Sequence, residues 1–218
     1  MYPLLETIQI KNGKIQNLFY HNKRLNHSRK DLFGLKNKVD LKEKLQINND
    51  KNKNLILQVK TFNSNESFEN IEIEKQSEVY KLRLIYSKEL LKAEVLPYEK
   101  KSIRSLKIIE CDNIDYSYKY ENRDIINQLL LKKENCDDIC IVKNGFITDS
   151  SYANLVFFDG QHYITPKMPL LNGTKREKYL AENKILESEI KPEDLEKFKQ
   201  VYCINAMVDL FEMPVEIN

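Results

Sequence analysis

The 218-residue sequence predicts an α/β (α+β) fold: two small α/β subdomains, residues 1–100 and 101–218, built mostly from antiparallel hairpins. Three observations lead to it. Four of the five glycines follow Asn or Asp, as Asn12-Gly13, Asn144-Gly145, Asp159-Gly160 and Asn172-Gly173, the dipeptides that favour positive φ in tight turns. The first three of these separate strand-like runs. Segments of helical period lie between the hairpins, so helices alternate with strand pairs.

Taken in order, residues 4–10 pair with 14–19 around Asn12-Gly13, and a helix follows over 21–35, with Leu25, Leu32 and Phe33 on one face. Residues 55–62, 68–74 and 82–86 alternate Ile, Leu and Val as strands do. The stretch 48–54 is polar. Residues 88–104 are charged with one proline and read as the link between the halves. Residues 105–110 form the next strand. A helix after Tyr116 runs through Ile125, Ile126, Leu129 and Leu130, with Lys119 at its entry. Residues 139–143 pair with 146–148, and 154–158 with 161–165. Thr174 and Glu177 have capping-box spacing at the start of a third helix, and Pro192 suits the first turn of a fourth.

Composition narrows the function. Hydrophobic residues make up 41% and charged residues 31%, as in a globular protein. Lys and Arg total 35 against 33 Asp and Glu, so a net charge of +2 gives no reason to expect nucleic acid or anionic membrane as partner. No apolar run approaches a bilayer span, and the start at Met1 lacks the profile of a signal peptide, so a soluble, cytoplasmic protein is expected. Four cysteines are too few for a disulfide scaffold. Cys136 and Cys140 lack zinc-knuckle spacing, and His21, His27 and His162 do not cluster, so no metal is expected. Nucleophile-elbow, phosphate-loop and dinucleotide glycine motifs are all missing.

Separated segments resemble, in order, those of the class IV pyridoxal-phosphate aminotransferase family. Leu5-Glu6-Thr7-Ile8 resembles the family's Phe-Glu-Thr-Ile strand, and His21-Asn22-Lys23-Arg24-Leu25 its His-x-x-Arg-Leu helix. Lys119-Tyr120-Glu121-Asn122-Arg123 is similar to Lys-x-x-Asn-Arg. Thr148-Asp149, with Asn154-Leu155 and then Thr165-Pro166, resembles Thr-Glu-x-x-x-x-Asn-Leu/Ile. Leu170-Leu171-Asn172-Gly173 with Arg176 resembles the turn Leu-Leu-x-Gly-x-x-Arg, and Ile204-Asn205-Ala206-Met207 the last loop.

The resemblance implies a D-amino acid aminotransferase-like fold, pyridoxal 5'-phosphate as cofactor and a homodimer with small-molecule substrates. It makes Lys119 the amine that carries the cofactor's aldehyde and moves the substrate's proton. Arg24 and the backbone N–H groups of Thr174 and Lys175 would hold the phosphate, with the Asn205-Ala206 turn as a second contact. Asp149 would hold the proton on the pyridine nitrogen, one methylene shorter than the family's usual Glu. Thr7 is a candidate to assist protonation of a leaving group, an exposed-strand threonine being the plainer reading. Gln9 stands where the family has an arginine; Arg83 and Arg104 are candidate replacements, with no spacing to choose between them. The family's usual additional N-terminal strand and Gly-Asp-Gly segment do not precede residue 5, so part of the pocket is expected to be rebuilt or absent.

Cys203 to Met207 resembles the loop of aminodeoxychorismate lyase more than the Gly-Thr-rich loop of branched-chain enzymes. The expected reaction is therefore elimination of pyruvate from 4-amino-4-deoxychorismate to give 4-aminobenzoate. A class IV aminotransferase acting on branched-chain or D-amino acids, and a non-catalytic relative, are the alternatives.

Overall fold

The computed structural model describes residues 3–49, 55–73 and 77–218. Met1, most of the polar stretch 48–54 and the Glu74 end of an expected strand lie outside the described residues. The chain divides into two units, Met1–Glu99 with Tyr118–Asn122, and Lys100–Ser117 with Arg123–Asn218.

In the first unit, β1 (Leu4–Lys11) turns through Asn12 and Gly13, at φ 50° and 68°, into β2 (Lys14–Ile15). The strand expected to reach residue 19 stops at Ile15, because Asn17 takes φ 57° and caps α1 (Leu18–Phe33). That helix ends at Gly34, φ 69°, whose N–H donates to Lys30 O at 3.0 Å. After α2 (Leu41–Lys44) come β3 (Leu45–Asn49), β4 (Leu55–Lys60) and β5 (Ser67–Ile73), a three-stranded antiparallel sheet. Then β6 (Val79–Tyr86) and β7 (Leu90–Pro97) complete a second antiparallel sheet, ordered β2-β1-β6-β7.

Strand β7 corrects the reading of residues 88–104 as a link. It is an edge strand; Leu90 and Ala93 are buried while Lys92 is exposed, and such outward charges mask the alternation. One face of the β2-β1-β6-β7 sheet carries Leu4, Ile8, Ile10, Leu82, Leu84 and Tyr86 into a core that α1 closes with Leu25.

In the second unit, β8 (Ser105–Glu110) precedes α3 (Asp124–Leu130), the hairpin β9 (Asp138–Lys143) and β10 (Phe146–Ser150), and the hairpin β11 (Asn154–Phe158) and β12 (Tyr163–Pro166). Next are α4 (Thr174–Ala181), β13 (Leu186–Ser188), a 3-10 turn over Pro192–Lys197 in place of the expected fourth α-helix, β14 (Gln200–Ile204) and β15 (Pro214–Ile217). The strand order is β10-β9-β8-β15-β14-β11-β12-β13. β10 also pairs with β11, Asp149 opposite Asn154, so six strands close on themselves. The pairs β8–β9, β8–β15 and β12–β13 are parallel and the others antiparallel.

Two glycine-turn expectations fare differently. Asn144 and Gly145 take φ 52° and 78°, as a tight hairpin turn requires. Gly173 has φ −68° and is itself the N-cap of α4, so Thr174 is the first helical residue rather than the cap of a capping box.

Arg29 is fully buried on α1. It donates to Asn37 O at 3.0 Å and Lys88 O at 3.2 Å, and lies 5.7 Å from the centre of the Phe62 ring. Arg29→Met should lower the free energy of unfolding by about 2–4 kcal/mol, because two carbonyls lose their donor. Urea titration checks this; an unchanged midpoint contradicts it.

Candidate active site

The residues expected to act fall into two groups, one in each unit. In the first unit, Glu6 is the polar member of an apolar stripe, its neighbours on that face of β1 being Leu4, Ile8 and Ile10. It is fully buried and bound by two partners of α1. Arg24 Nε donates to Oε1 at 2.9 Å, Arg24 Nη2 to Oε2 at 2.6 Å, and His21 Nδ1 lies 2.6 Å from Oε2.

Burial alone would raise the Glu6 carboxyl, but the charge of Arg24 and the hydrogen bonds from His21 and Arg24 outweigh it, holding the pKa at about 2. Burial also pushes the His21 imidazole below its usual range, against the pull of Glu6. A carboxylate only accepts, so Nδ1 of the neutral ring carries the hydrogen. The positive charges of Arg24 and Lys119 lower the His21 pKa further.

Lys119 joins this unit by backbone pairing and not, as expected, at the entry of a helix. Leu5 N–H donates to Lys119 O at 2.8 Å, Glu121 N–H donates to Pro3 O at 2.9 Å, and Leu4 faces Tyr120 in an antiparallel bridge. The side chains of Tyr118 and Tyr120 pack against the first unit's core, and α3 begins only at Asp124. Thr7 points to the face of β1 opposite Glu6 and stands directly across from Arg83 of β6. Arg83 donates to Glu94 Oε2 at 2.7 Å. Arg104 belongs to the second unit, where its N–H donates to Asp137.

In the second unit Asp149 is 5% exposed at the point where the ring of strands closes. Asn154 Nδ2 donates to its Oδ1 at 2.8 Å and Leu171 N–H to its Oδ2 at 2.9 Å, while the same Asn154 amide donates to Leu171 O at 2.9 Å. Burial pushes the Asp149 carboxyl up to about 6 against these hydrogen bonds. Arg123 Nη2 donates to Ser151 O at 2.6 Å, holding the turn that follows.

At the start of α4, Lys175 is 7% exposed and its backbone N–H makes no hydrogen bond within the described residues. Thr174, beside it, is 2% exposed. In the last loop Asn205 and Val208 exchange backbone hydrogen bonds of 3.1 and 3.2 Å. Asn205 Oδ1 accepts from Met207 N–H at 2.8 Å, and Ala206 N–H is unspent within the described residues.

Two residues that shape these groups, Glu6 and Gly173, were not singled out as site residues from sequence. Glu6 had a signal, a carboxylate on the apolar stripe of a strand. Gly173 was marked only by its motif and read as a turn glycine, whereas its requirement is steric: a Cβ there would stand 2.0 Å from Asn154 Oδ1. Among the described residues no group of three or more potential ligands could hold a metal ion, and no helix is long and apolar enough to cross a membrane.

Residues 3–213 match the family model described as amino-transferase class IV, and the chain belongs to that family. Its members are pyridoxal-phosphate enzymes, transaminases or lyases. An uncharacterized protein of Haemophilus influenzae is 37% identical over 209 residues, covering 95% of this chain and 98% of the relative. The crystal structure of a Haemophilus somnus protein, provisionally described as a 4-amino-4-deoxychorismate lyase, is 33% identical with a TM-score of 0.75, over 96% of this chain and 98% of that one. The pyridoxal-phosphate-bound form of a hypothetical aminotransferase from Mycobacterium tuberculosis shares the fold, at 15% identity and a TM-score of 0.65, over 94% of this chain and 78% of that one.

The residues present suit this cofactor. Asp149 is a buried carboxylate whose direct partners are neutral, which is what a protonated ring nitrogen would pair with. The N–H groups of Lys175 and Ala206 are main-chain donors of the kind that hold phosphate.

Two outcomes follow. The folded protein keeps a proton on Asp149 that the unfolded chain releases, so this contribution to stability is present below about pH 4 and lost as pH rises through about 6. Relative to Asp149→Asn, the cofactor-free protein should lose about 2 kcal/mol between pH 4 and 7. Thermal melts across that range check this, and a flat difference contradicts it. Gly173→Ala forces Asn154 off Asp149 and should cost about 1–3 kcal/mol in urea titrations, while a Gly13→Ala control probes only a strained turn.

Proposed function

We propose that this protein is a 4-amino-4-deoxychorismate lyase, converting its substrate to 4-aminobenzoate and pyruvate with no keto-acid partner. The observation that carries this reading is similarity along the whole chain, at 33% identity, to the Haemophilus somnus structure with that provisional description. The run Cys203-Ile204-Asn205-Ala206-Met207 supports it, since it resembles the corresponding loop of the lyase.

Bound pyridoxal phosphate supplies an electron-withdrawing ring that stabilises the negative charge left when a carbon–hydrogen bond of the substrate breaks. In this reading the Lys119 ε-amine would hold the cofactor and, once the substrate's own amine has replaced it there, would be free to take the proton from the substrate carbon that bears that amine. Asp149 holds a proton at the pyridine nitrogen by a charge-assisted hydrogen bond. Arg24, oriented by Glu6, and the N–H groups of Thr174, Lys175 and the Asn205-Ala206 turn bind phosphate. As the carbon–oxygen bond to the enolpyruvyl group breaks, the Thr7 hydroxyl would assist its protonation to pyruvate, the proton taken by Lys119 making good the one delivered so that none is gained or lost overall, and aromatisation makes the elimination favourable.

Arg83, across the strand pair from Thr7, is the choice over Arg104 for anchoring a substrate carboxylate, because it shares a sheet face with that hydroxyl. In this reading the protein works in the cytoplasm as a homodimer, the dimer resting on the family resemblance.

The test is incubation of the cofactor-loaded protein with 4-amino-4-deoxychorismate alone. 4-Aminobenzoate and pyruvate should appear in equal amounts; product formed only when a keto acid is added would replace the lyase with a transaminase. Arg83→Ala should raise KM roughly 10- to 100-fold with kcat much less affected, the worth of a hydrogen bond to a charged group. An unchanged KM removes Arg83 from the substrate site.

A further inference from the structure

The second unit holds a charged cluster between its last loop and α4. Asp209 lies just past the Asn205–Val208 turn, and its Oδ1 accepts from Lys175 Nζ at 2.5 Å and from Tyr179 OH at 2.7 Å, both on α4. The Tyr179 hydroxyl in turn accepts from Leu210 N–H at 3.4 Å. The Lys175 side chain is 9% exposed, so little water reaches the ammonium to replace Asp209.

The turn before Asp209 is stiff. Asn205 and Val208 are bonded to each other in both directions, Asn205 Oδ1 caps Met207 and Val208, and both Met207 and Val208 are buried. A rigid turn fixed at Asp209 to the first turns of a helix cannot shift independently of that helix. The two ends of this connection are Ala206 N–H and Lys175 N–H, the unspent main-chain donors described above.

We propose that Asp209 is a positioning residue that binds Lys175 and Tyr179 so as to hold the Asn205-Ala206 turn and the start of α4 at one spacing, set for a phosphate monoester. This rests on the reading of those donors as the phosphate site. Asp209 stays ionised in this role: burial opposes its charge, but hydrogen bonds from Lys175 and Tyr179 outweigh burial and hold the carboxyl below its usual range. The side chain does not touch the cofactor in this arrangement; it acts through the two elements it joins.

A residue that merely stabilises the fold would affect all vitamers alike. A phosphate-positioning residue affects only those with a phosphate. The experiment titrates the cofactor-free protein with pyridoxal phosphate and, separately, with pyridoxal, following absorbance of the bound vitamer, in wild type, Asp209→Ala and Asp209→Asn. Asp209→Ala should weaken pyridoxal phosphate binding 10- to 100-fold and change pyridoxal binding less than twofold, and inorganic phosphate should compete less well in the variant.

Equal weakening of both vitamers, or no weakening, overturns the proposal. A wild type that binds the two vitamers equally well overturns the phosphate reading and the proposal with it, which separates the two failures. Should circular dichroism show Asp209→Ala unfolded, Lys175→Met, which keeps the backbone N–H and removes the other end of the bond, must give the same selective loss; weakening of both vitamers there overturns the proposal equally.

Discussion

A carboxylate kept in a dry place is the constraint on which the second unit depends. Asp149 sits where β10 meets β11, so the contact that closes six strands into a ring also buries the anion. Asn154 bonds both Asp149 and Leu171 O, and Leu171 N–H bonds Asp149, which makes a closed set of three partners. Gly173 must lack a side chain for Asn154 to stand there. Hydrogen bonds to neutral groups only partly offset the loss of water, which is why the carboxyl is pushed up and why a cation in contact with it would be favoured.

The first unit solves a related problem with a full complement of charge. Glu6 is as buried as Asp149, yet its pKa falls to about 2 because an arginine fork meets both of its oxygens. The carboxylate fixes the direction of the Arg24 guanidinium and the tautomer of His21, giving a preset arrangement into which the strand pairing of residues 119–121 delivers Lys119. The positions of these groups are thus determined before any ligand arrives, which is the condition under which binding energy goes into chemistry rather than ordering.

Much of this was legible from residues, where local chemistry decides. Asn12-Gly13 and Asn144-Gly145 announce their hairpins because the turn type demands positive φ. The motifs around Arg24, Lys119 and Asp149 mark the family by residue type alone. What could not be read depends on distant partners. Lys119 lies against β1 through backbone bonds that carry no side-chain signal, so its segment looked like the start of a helix. Strand β7 hid behind Lys92 and Glu94, and Asn17 cut β2 short by a left-handed turn that an apolar neighbourhood, Leu18 and Phe19, concealed. Gly173 looked like a turn glycine and is a steric one, a distinction visible only once Asn154 is in place.

The most direct test of this account asks which amine holds the cofactor. Protein loaded with pyridoxal phosphate is reduced with borohydride, which fixes any covalent link, then digested and mapped by mass spectrometry. The account predicts one pyridoxyl group, on the peptide containing Lys119. A label on another lysine, or none that survives reduction, would contradict it.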